Sequence, residues 1–383
     1  MFRPFALLAI TAAVLAAQSG SAVRVLKVVG ERHKLVLFSD GTVAGWGNCS
    51  SGELGPVTFP VKSYRSAGLV TIALPGRAID IAAGAASSYA LLENGTVVAW
   101  GKNFSGELGS GAAVNSKLPG GVAGSEVPVT VDGVSGAKQI VAYDLTAHAL
   151  LSSGAVVGWG GPLGKSPSPV ANATNLVQIS SGGGHVLGLT AAGRVLSWGS
   201  NYYGALGRPP RQEQPINTAA EVPGLSDVLQ VAAGTGISTV LKKDGTIWVW
   251  GANWHGQFGN GDRTDPPGVN YGYELAPRQV TGVTNVVSIS LGLTGRHTLA
   301  LLKDGTLRGW GNTDWGQLGA GVSGTFQLRP VSPKIANVKS VFAAGNNSFA
   351  VLADGSLWIW GLGERGEWPL AANAKTPVRL DLR

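Results

Sequence analysis

A single cysteine, Cys49, in 383 residues excludes an intramolecular disulfide, a thiolate metal cluster and a Cys-x-x-Cys redox pair. Charge is also scarce: 13% of residues are charged, with 29 Lys and Arg against 22 Asp and Glu for a formal +7. No block of five or six basic residues occurs, so this excess is diffuse and no nucleic-acid patch is expected. The chain lacks a Gly-x-x-x-x-Gly-Lys phosphate loop and a Gly-x-Ser-x-Gly nucleophile elbow, which removes the commonest signatures of nucleotide and acyl chemistry. Beyond residue 22 no apolar run approaches membrane length. Disorder is excluded as well, because 44% of residues are apolar and twelve are tryptophan.

What is abundant is glycine, 58 residues and about twice the usual share, without a Gly-X-Y period. That pattern calls for many tight turns and an all-β chain. Met1 to Ala22 has one cation at Arg3, an apolar stretch from Phe5 to Ala17 and small residues at Gly20-Ser21-Ala22. This is the pattern of a secretory signal peptide, the apolar part being too short for a span of about 30 Å. The expectation is a 1–22 leader and a secreted or periplasmic 23–383 domain, not inserted in a membrane.

Trp-Gly pairs at Trp46, Trp100, Trp159, Trp198, Trp250, Trp310 and Trp360 are spaced by 54, 59, 39, 52, 60 and 50 residues. A glycine precedes each tryptophan by five residues: Gly41, Gly95, Gly154, Gly193, Gly245, Gly305 and Gly355. Asp-Gly and Asn-Gly at five of these sites read as two-residue hairpin turns between short β-rich strands. A preceding strand ending in small residues, as in Ile81-Ala82-Ala83-Gly84 and Val231-Ala232-Ala233-Gly234, suits a crowded axis, and Glu126–Val131, Ala276–Val280 and Pro377–Leu382 supply outer strands. Four strands in each of seven units predict a seven-bladed β-propeller, all-β, with the seven repeat tryptophans in the packing between blades.

After the tryptophan, a Gly-x-Leu-Gly bend begins six residues on in most units, at Gly52, Gly106, Gly204, Gly256 (with Phe258 in the leucine place) and Gly316, with Gly366 opening a variant form. Together with the Asp-Gly turn and Trp-Gly-x-Asn, this resembles the repeat of the regulator of chromosome condensation family over residues 23–383. The resemblance implies seven-bladed propellers and includes both a nuclear nucleotide exchange factor that binds chromatin and an exported propeller that inhibits β-lactamase. The leader and the absence of basic tails place this chain nearer the exported case. Unit three departs from the pattern, its Gly161-Pro162-Leu163-Gly164 following Trp159 four residues early, with Tyr143 in place of the small-bend glycine.

His33, His185 and His297 each lie eight residues before a turn glycine, and His148 lies six before one. Equivalent positions on different blades disperse them, so they are expected to bond blade backbone; neither a metal nor a cofactor is expected. Asp262-Arg263-Thr264-Asp265 lacks the spacing of a calcium loop, and Cys49 has no neighbouring histidine to activate it. Function is expected where units differ. Four to eight residues beyond the repeat tryptophans stand Phe104, Tyr202, Tyr203, Trp254, His255, Trp315 and Trp368, with Glu53, Glu107, Asp314, Glu364 and Arg365 as charged companions. Such aromatics around one mouth of a propeller predict a non-enzymatic, monomeric recognition module for a protein partner, with a glycan as the alternative ligand and exchange-factor activity as the less favoured reading.

Overall fold

The computed structural model describes residues 23–56, 65–66, 68–111, 118, 123–209, 216–263, 273–292, 294, 296–322, 324–363 and 369–382. Seven four-stranded antiparallel sheets follow one another along the chain as blades 1 to 7, spanning 25–72, 78–130, 137–169, 176–221, 228–279, 286–331 and 338–380. Each blade is a simple meander of consecutive strands. The outer strands Gly124–Thr130, Tyr273–Gln279 and Ala374–Leu380 start two or three residues earlier than the sequence suggests.

The core is divided into seven apolar clusters, one per interface between blades, each containing one repeat tryptophan from the later blade. Trp100 packs with Leu35 and Leu54 of blade 1, and Trp250 with Leu187 and Val222 of blade 4. Trp46 of blade 1 packs with Phe349, Leu357 and Ile359 of blade 7, the ring contact to Phe349 being edge-on at 5.9 Å. That last cluster closes the ring: among the described residues, the first and last blades are joined by packing, with no strand exchanged between them.

The innermost strands line a central cavity of about 230 Å³. Every one of them carries a bulge between its first and third residues, as at Val25/Lys27 and Gln178 in Leu176–Gly182. The bulge leaves Leu26, Ile79, Val177, Leu229 and Val287 exposed and aims the third residue at the next blade. Gln139 donates to the Ile179 carbonyl (2.9 Å) and accepts from its N–H (2.8 Å); Gln230 does the same with Ile289 at 2.8 and 2.9 Å. Asp80 accepts from Ile140 N–H and from Lys27 Nζ, and Gln178 from Val231 N–H, so a belt of side chains links blades 1 to 6 around the axis.

The hairpins differ from the expected two-residue form. Gly41 N–H bonds the Phe38 carbonyl (2.9 Å) and Phe38 N–H the Thr42 carbonyl (3.0 Å), a three-residue connection whose last residue is left-handed. Gly41 supplies that φ of 83°, while Asp40 stays right-handed and accepts from Thr42 N–H at 2.9 Å. Asp244, Asp304 and Asp354 repeat the same bond to the residue two on. These hairpins form one face of the disk; the turns after the innermost strands and the loops after each Trp-Gly form the other.

Candidate functional site

The loops after Trp-Gly are built from repeated backbone anchors. Asn103, Asn201 and Asn253 accept from the N–H five residues on, at 2.9–3.0 Å. Glu53, Glu107, Gln257 and Gln317 accept from the N–H two residues back, at 2.6–2.9 Å. The carbonyls of these last residues reach the next blade: Glu53 O accepts from Trp100 Nε1 and Ser88 Oγ, both at 2.8 Å, and Gln317 O from Trp360 Nε1 (2.7 Å) and Ser348 Oγ (2.8 Å). With both flanks tied down, the two residues at the loop tip remain to face outward.

At those tips Tyr202 and Phe104 are about three-quarters exposed and Trp315 is exposed to 38%. Tyr203 and Trp254 are half-buried and meet edge-on at 4.3 Å, with Tyr202 6.2 Å from Tyr203, so blades 4 and 5 share one aromatic ridge. Tyr203 takes a φ of 62°, and its ring lies where a side chain on Gly236 would stand. His255 packs 5.3 Å from Phe326 of blade 6, whose ring also lies 4.5 Å under the Arg263 guanidinium. Burial, with Arg296 and Arg263 nearby, lowers the His255 pKa against the pull of Asp314. Phe104 stands on blade 2 with Lys102 Nζ 5.7 Å from its ring. Trp368, Glu364 and Arg365 lie outside the described residues. Phe326 and Arg263 join this surface without having been marked by the repeat, because they come from the long loop and outer strand.

The sequence reading treated Glu53 and Glu107 as charged loop companions, and the structure corrects this. Both are buried, accept hydrogen bonds from their own loops, and have raised pKa values owing chiefly to burial. Asp314 is exposed beside Trp315.

The histidines are structural in a specific way. His33 Nε2 lies 2.9 Å from Ser88 Oγ, His185 Nε2 2.8 Å from Ser238 Oγ and His297 Nε2 2.9 Å from Ser348 Oγ, always one blade on. Each serine gives its proton to a carbonyl (Glu53, Ala205 or Gln317), so each histidine must donate from Nε2. Burial lowers the His33 pKa to about 3 and those of His148, His185 and His297 to about 4, fixing neutral rings. Cys49 occupies the loop-anchor position held elsewhere by asparagine; it is buried, and its pKa is pushed up to about 12 by burial first and Glu53 second, which leaves it unreactive as a thiolate.

Models of the regulator of chromosome condensation (RCC1) repeat match residues 192–241 and 244–301, and a second form of the same repeat matches 78–107, 176–205 and 286–317. The chain is 28% identical over 321 residues to the ultraviolet-B receptor UVR8 of Arabidopsis thaliana, covering 80% of this chain and 70% of that protein. It is 28% identical over 378 residues to the guanine nucleotide exchange factor SRM1 of Saccharomyces cerevisiae, covering 83% and 77% respectively. Among solved structures it superposes on Prp20p of Saccharomyces cerevisiae, studied for its binding to Gsp1p and histones, with a TM-score of 0.73 and 25% identity over 94% of this chain and 87% of that one.

Proposed function

We propose, given that the chain belongs to the regulator of chromosome condensation repeat family, that it is an exported, non-enzymatic propeller whose Trp-loop face grips a protein partner. The observation that carries this reading is the aromatic surface across blades 4 to 6. Tyr202, Trp315 and the Tyr203–Trp254 pair present rigid rings on loops whose backbones are fully anchored, with Asp314, Arg263 and Arg296 around them. Rigid aromatics flanked by arginine are the composition of interface hot spots, since they add contact area at small entropic cost. Relatives support a protein ligand: Prp20p is described by its binding to Gsp1p and histones.

Export rests on the leader pattern of residues 1–22. An exported chain is separated from nucleotide-dependent switches, which ranks partner capture above nucleotide exchange. The test is capture from the source organism's extracellular and envelope fractions, comparing the natural chain with a Phe104→Ala, Tyr202→Ala, Trp315→Ala variant. These three exposed rings are chosen because their loss leaves the half-buried Tyr203–Trp254 pair in place. A protein retained by the natural chain and lost from the variant supports the reading. Equal retention by both rejects the face, and binding to a glycan array without any protein partner favours carbohydrate recognition. N-terminal sequencing that finds residue 1 intact on a cytosolic protein rejects export.

A further inference from the structure

The Trp-loop face is not evenly built, because the bend after Trp-Gly is cut short in blade 3. In blades 2, 4, 5 and 6 the last glycine of the bend (Gly109, Gly207, Gly259, Gly319) lies directly on the indole of the next blade's repeat tryptophan. The bend carbonyls of those blades accept that indole's N–H at 2.7–2.9 Å. In blade 3 the bend comes four residues early and closes as a single 3-10 turn, Gly161–Leu163. Gly164, its last glycine, has no atom within 4 Å of where a side chain would begin. The Trp198 indole of blade 4 is left buried, its Nε1–H unpaired among the described residues and sealed from any ligand. Beside it a cavity of about 390 Å³ lies between blades 3 and 4.

Leu145, Pro162, Leu163 and Ile216 give this cavity apolar walls. Two tyrosines line it as well. The Tyr143 hydroxyl lies 2.9 Å from Thr235 Oγ1 of blade 5, which fixes that ring, and Tyr202 is about three-quarters exposed. Asp144, exposed in the turn after the innermost strand of blade 3, supplies the charge of the lining, and its carboxylate makes no hydrogen bond or ion pair among the described residues. Its field reaches its neighbours: burial raises the pKa values of Tyr143 and Glu107, and Asp144 raises both further. Glu31 and Arg296 also act on Tyr143, with opposite signs, and neither lines the cavity. Among the described residues no Lys or Arg lines it, and His148 and His185 are neutral there because burial lowers each pKa to about 4. The uncompensated charge is therefore negative.

We propose that this cavity binds a small organic monocation, its ammonium group at the Asp144 carboxylate and its apolar body against Leu145, Pro162, Leu163 and Ile216. The volume lies in the range of small-molecule sites, and apolar walls with one placed charge are the usual make-up of such a site. Removing the body from water supplies affinity, while the carboxylate and the tyrosine rings favour a cation over a neutral molecule of the same shape. An anion of that shape is repelled. The site shares only Tyr202 with the aromatic surface of blades 4 to 6 and includes neither Tyr203, Trp254 nor Trp315, so it does not depend on the protein-partner reading.

Phenethylamine, phenethyl alcohol and hydrocinnamate are suitable probes, alike in their phenyl body and respectively cationic, neutral and anionic at neutral pH. The readout is the set of backbone 1H–15N resonances of Thr146, Gly184 and Ile216, which line the cavity, in the purified protein at low salt. Phenethylamine is expected to move them in a saturable manner and to bind about fivefold more tightly than the alcohol, the effect of one partly exposed charge pair. Hydrocinnamate should bind more weakly than either. Asp144→Asn should bring the amine down to the affinity of the alcohol and leave the alcohol unchanged; asparagine tolerates the φ of 51° found there, so the fold is kept. Asp314→Asn, which removes an exposed carboxylate outside the cavity, should change nothing. The proposal is overturned if the amine produces no saturable shift of these amides, or if the alcohol or the carboxylate binds as tightly as the amine. It is equally overturned if Asp144→Asn leaves amine affinity intact, or if Asp314→Asn lowers it as much as Asp144→Asn does.

Discussion

Acidification should unfold this propeller through its buried histidines. His33, His148, His185 and His297 are fully buried and neutral, with pKa values of about 3 for His33 and about 4 for the others. In the unfolded chain each returns to 6.5, so between pH 6.5 and about 4 the unfolded state binds more protons than the folded one. Stability therefore is complete above pH 6.5 and falls as the pH drops, by about 1.4 kcal/mol per pH unit for each histidine. At pH 5.5 four such groups together withdraw about 5 kcal/mol, a large part of a typical domain's stability. Glu53 and Glu107 oppose this, since their raised folded pKa values make the folded state take up protons above the unfolded carboxylate range. The net loss from pH 7 to 5.5 is therefore smaller than the histidines alone would give. Urea unfolding followed by tryptophan fluorescence at pH 7.5, 6.5 and 5.5 measures it, and His185→Gln should remove about 1.3 kcal/mol, one quarter of the histidine contribution, from the decline. A urea midpoint that stays constant from pH 7.5 to 5.5 would refute the assignment of these rings as buried and neutral.

Three further outcomes follow from the same geometry. Ser238→Ala removes the hydroxyl between His185 and the Ala205 carbonyl and strands a buried ring N–H, so urea unfolding should show a loss of about 2–3 kcal/mol. Gln230→Ala deletes both bonds to Ile289 and should cost about 1–2 kcal/mol, whereas Ser340→Ala, at the equivalent place in blade 7, should change stability by less than about 0.5 kcal/mol. Cys49, buried with its pKa near 12, should resist an aromatic disulfide reagent at pH 8 in the folded protein and react at once in denaturing urea; labelling of the native chain at the rate of an exposed thiol would contradict its placement.

The features that repeat were legible in the chain, and those that depend on the neighbouring blade were not. Seven Trp-Gly pairs with a glycine five residues earlier gave the blade count, because each blade must present the same large ring to the one before it. Phase was not legible: that each blade is four consecutive strands is seen only in the structure. The axial belt was hidden: Lys27, Asp80, Gln139, Gln178 and Gln230 share a strand position but not one residue type throughout, and only the bulge reveals that they point at the next blade. Glu53 and Glu107 look like surface charges by residue type, yet the bend folds their carboxyl groups inward onto loop N–H groups. The four-residue deficit of unit three was plain in the sequence. Its effect on Trp198 was not, because the missing atoms belong to one blade and the unpaired donor to another. At the proposed binding face the exposure of Phe104 and Tyr202 matched their loop positions, while Tyr203, Trp254 and His255 turned part of their area onto neighbouring rings.

The central claim, that the Trp-loop face meets a protein partner, is tested most directly by site-specific photocross-linking in the source organism. A benzophenone amino acid is placed singly at Phe104, Tyr202 or Trp315 on that face, and at Ile79, Leu229 or Val287, the exposed apolar positions at the innermost-strand bulges. The account predicts one discrete cross-linked protein from the three loop positions and none from the bulge positions. Cross-linking confined to Ile79, Leu229 or Val287 would contradict it and move the recognition surface to the start of the innermost strands.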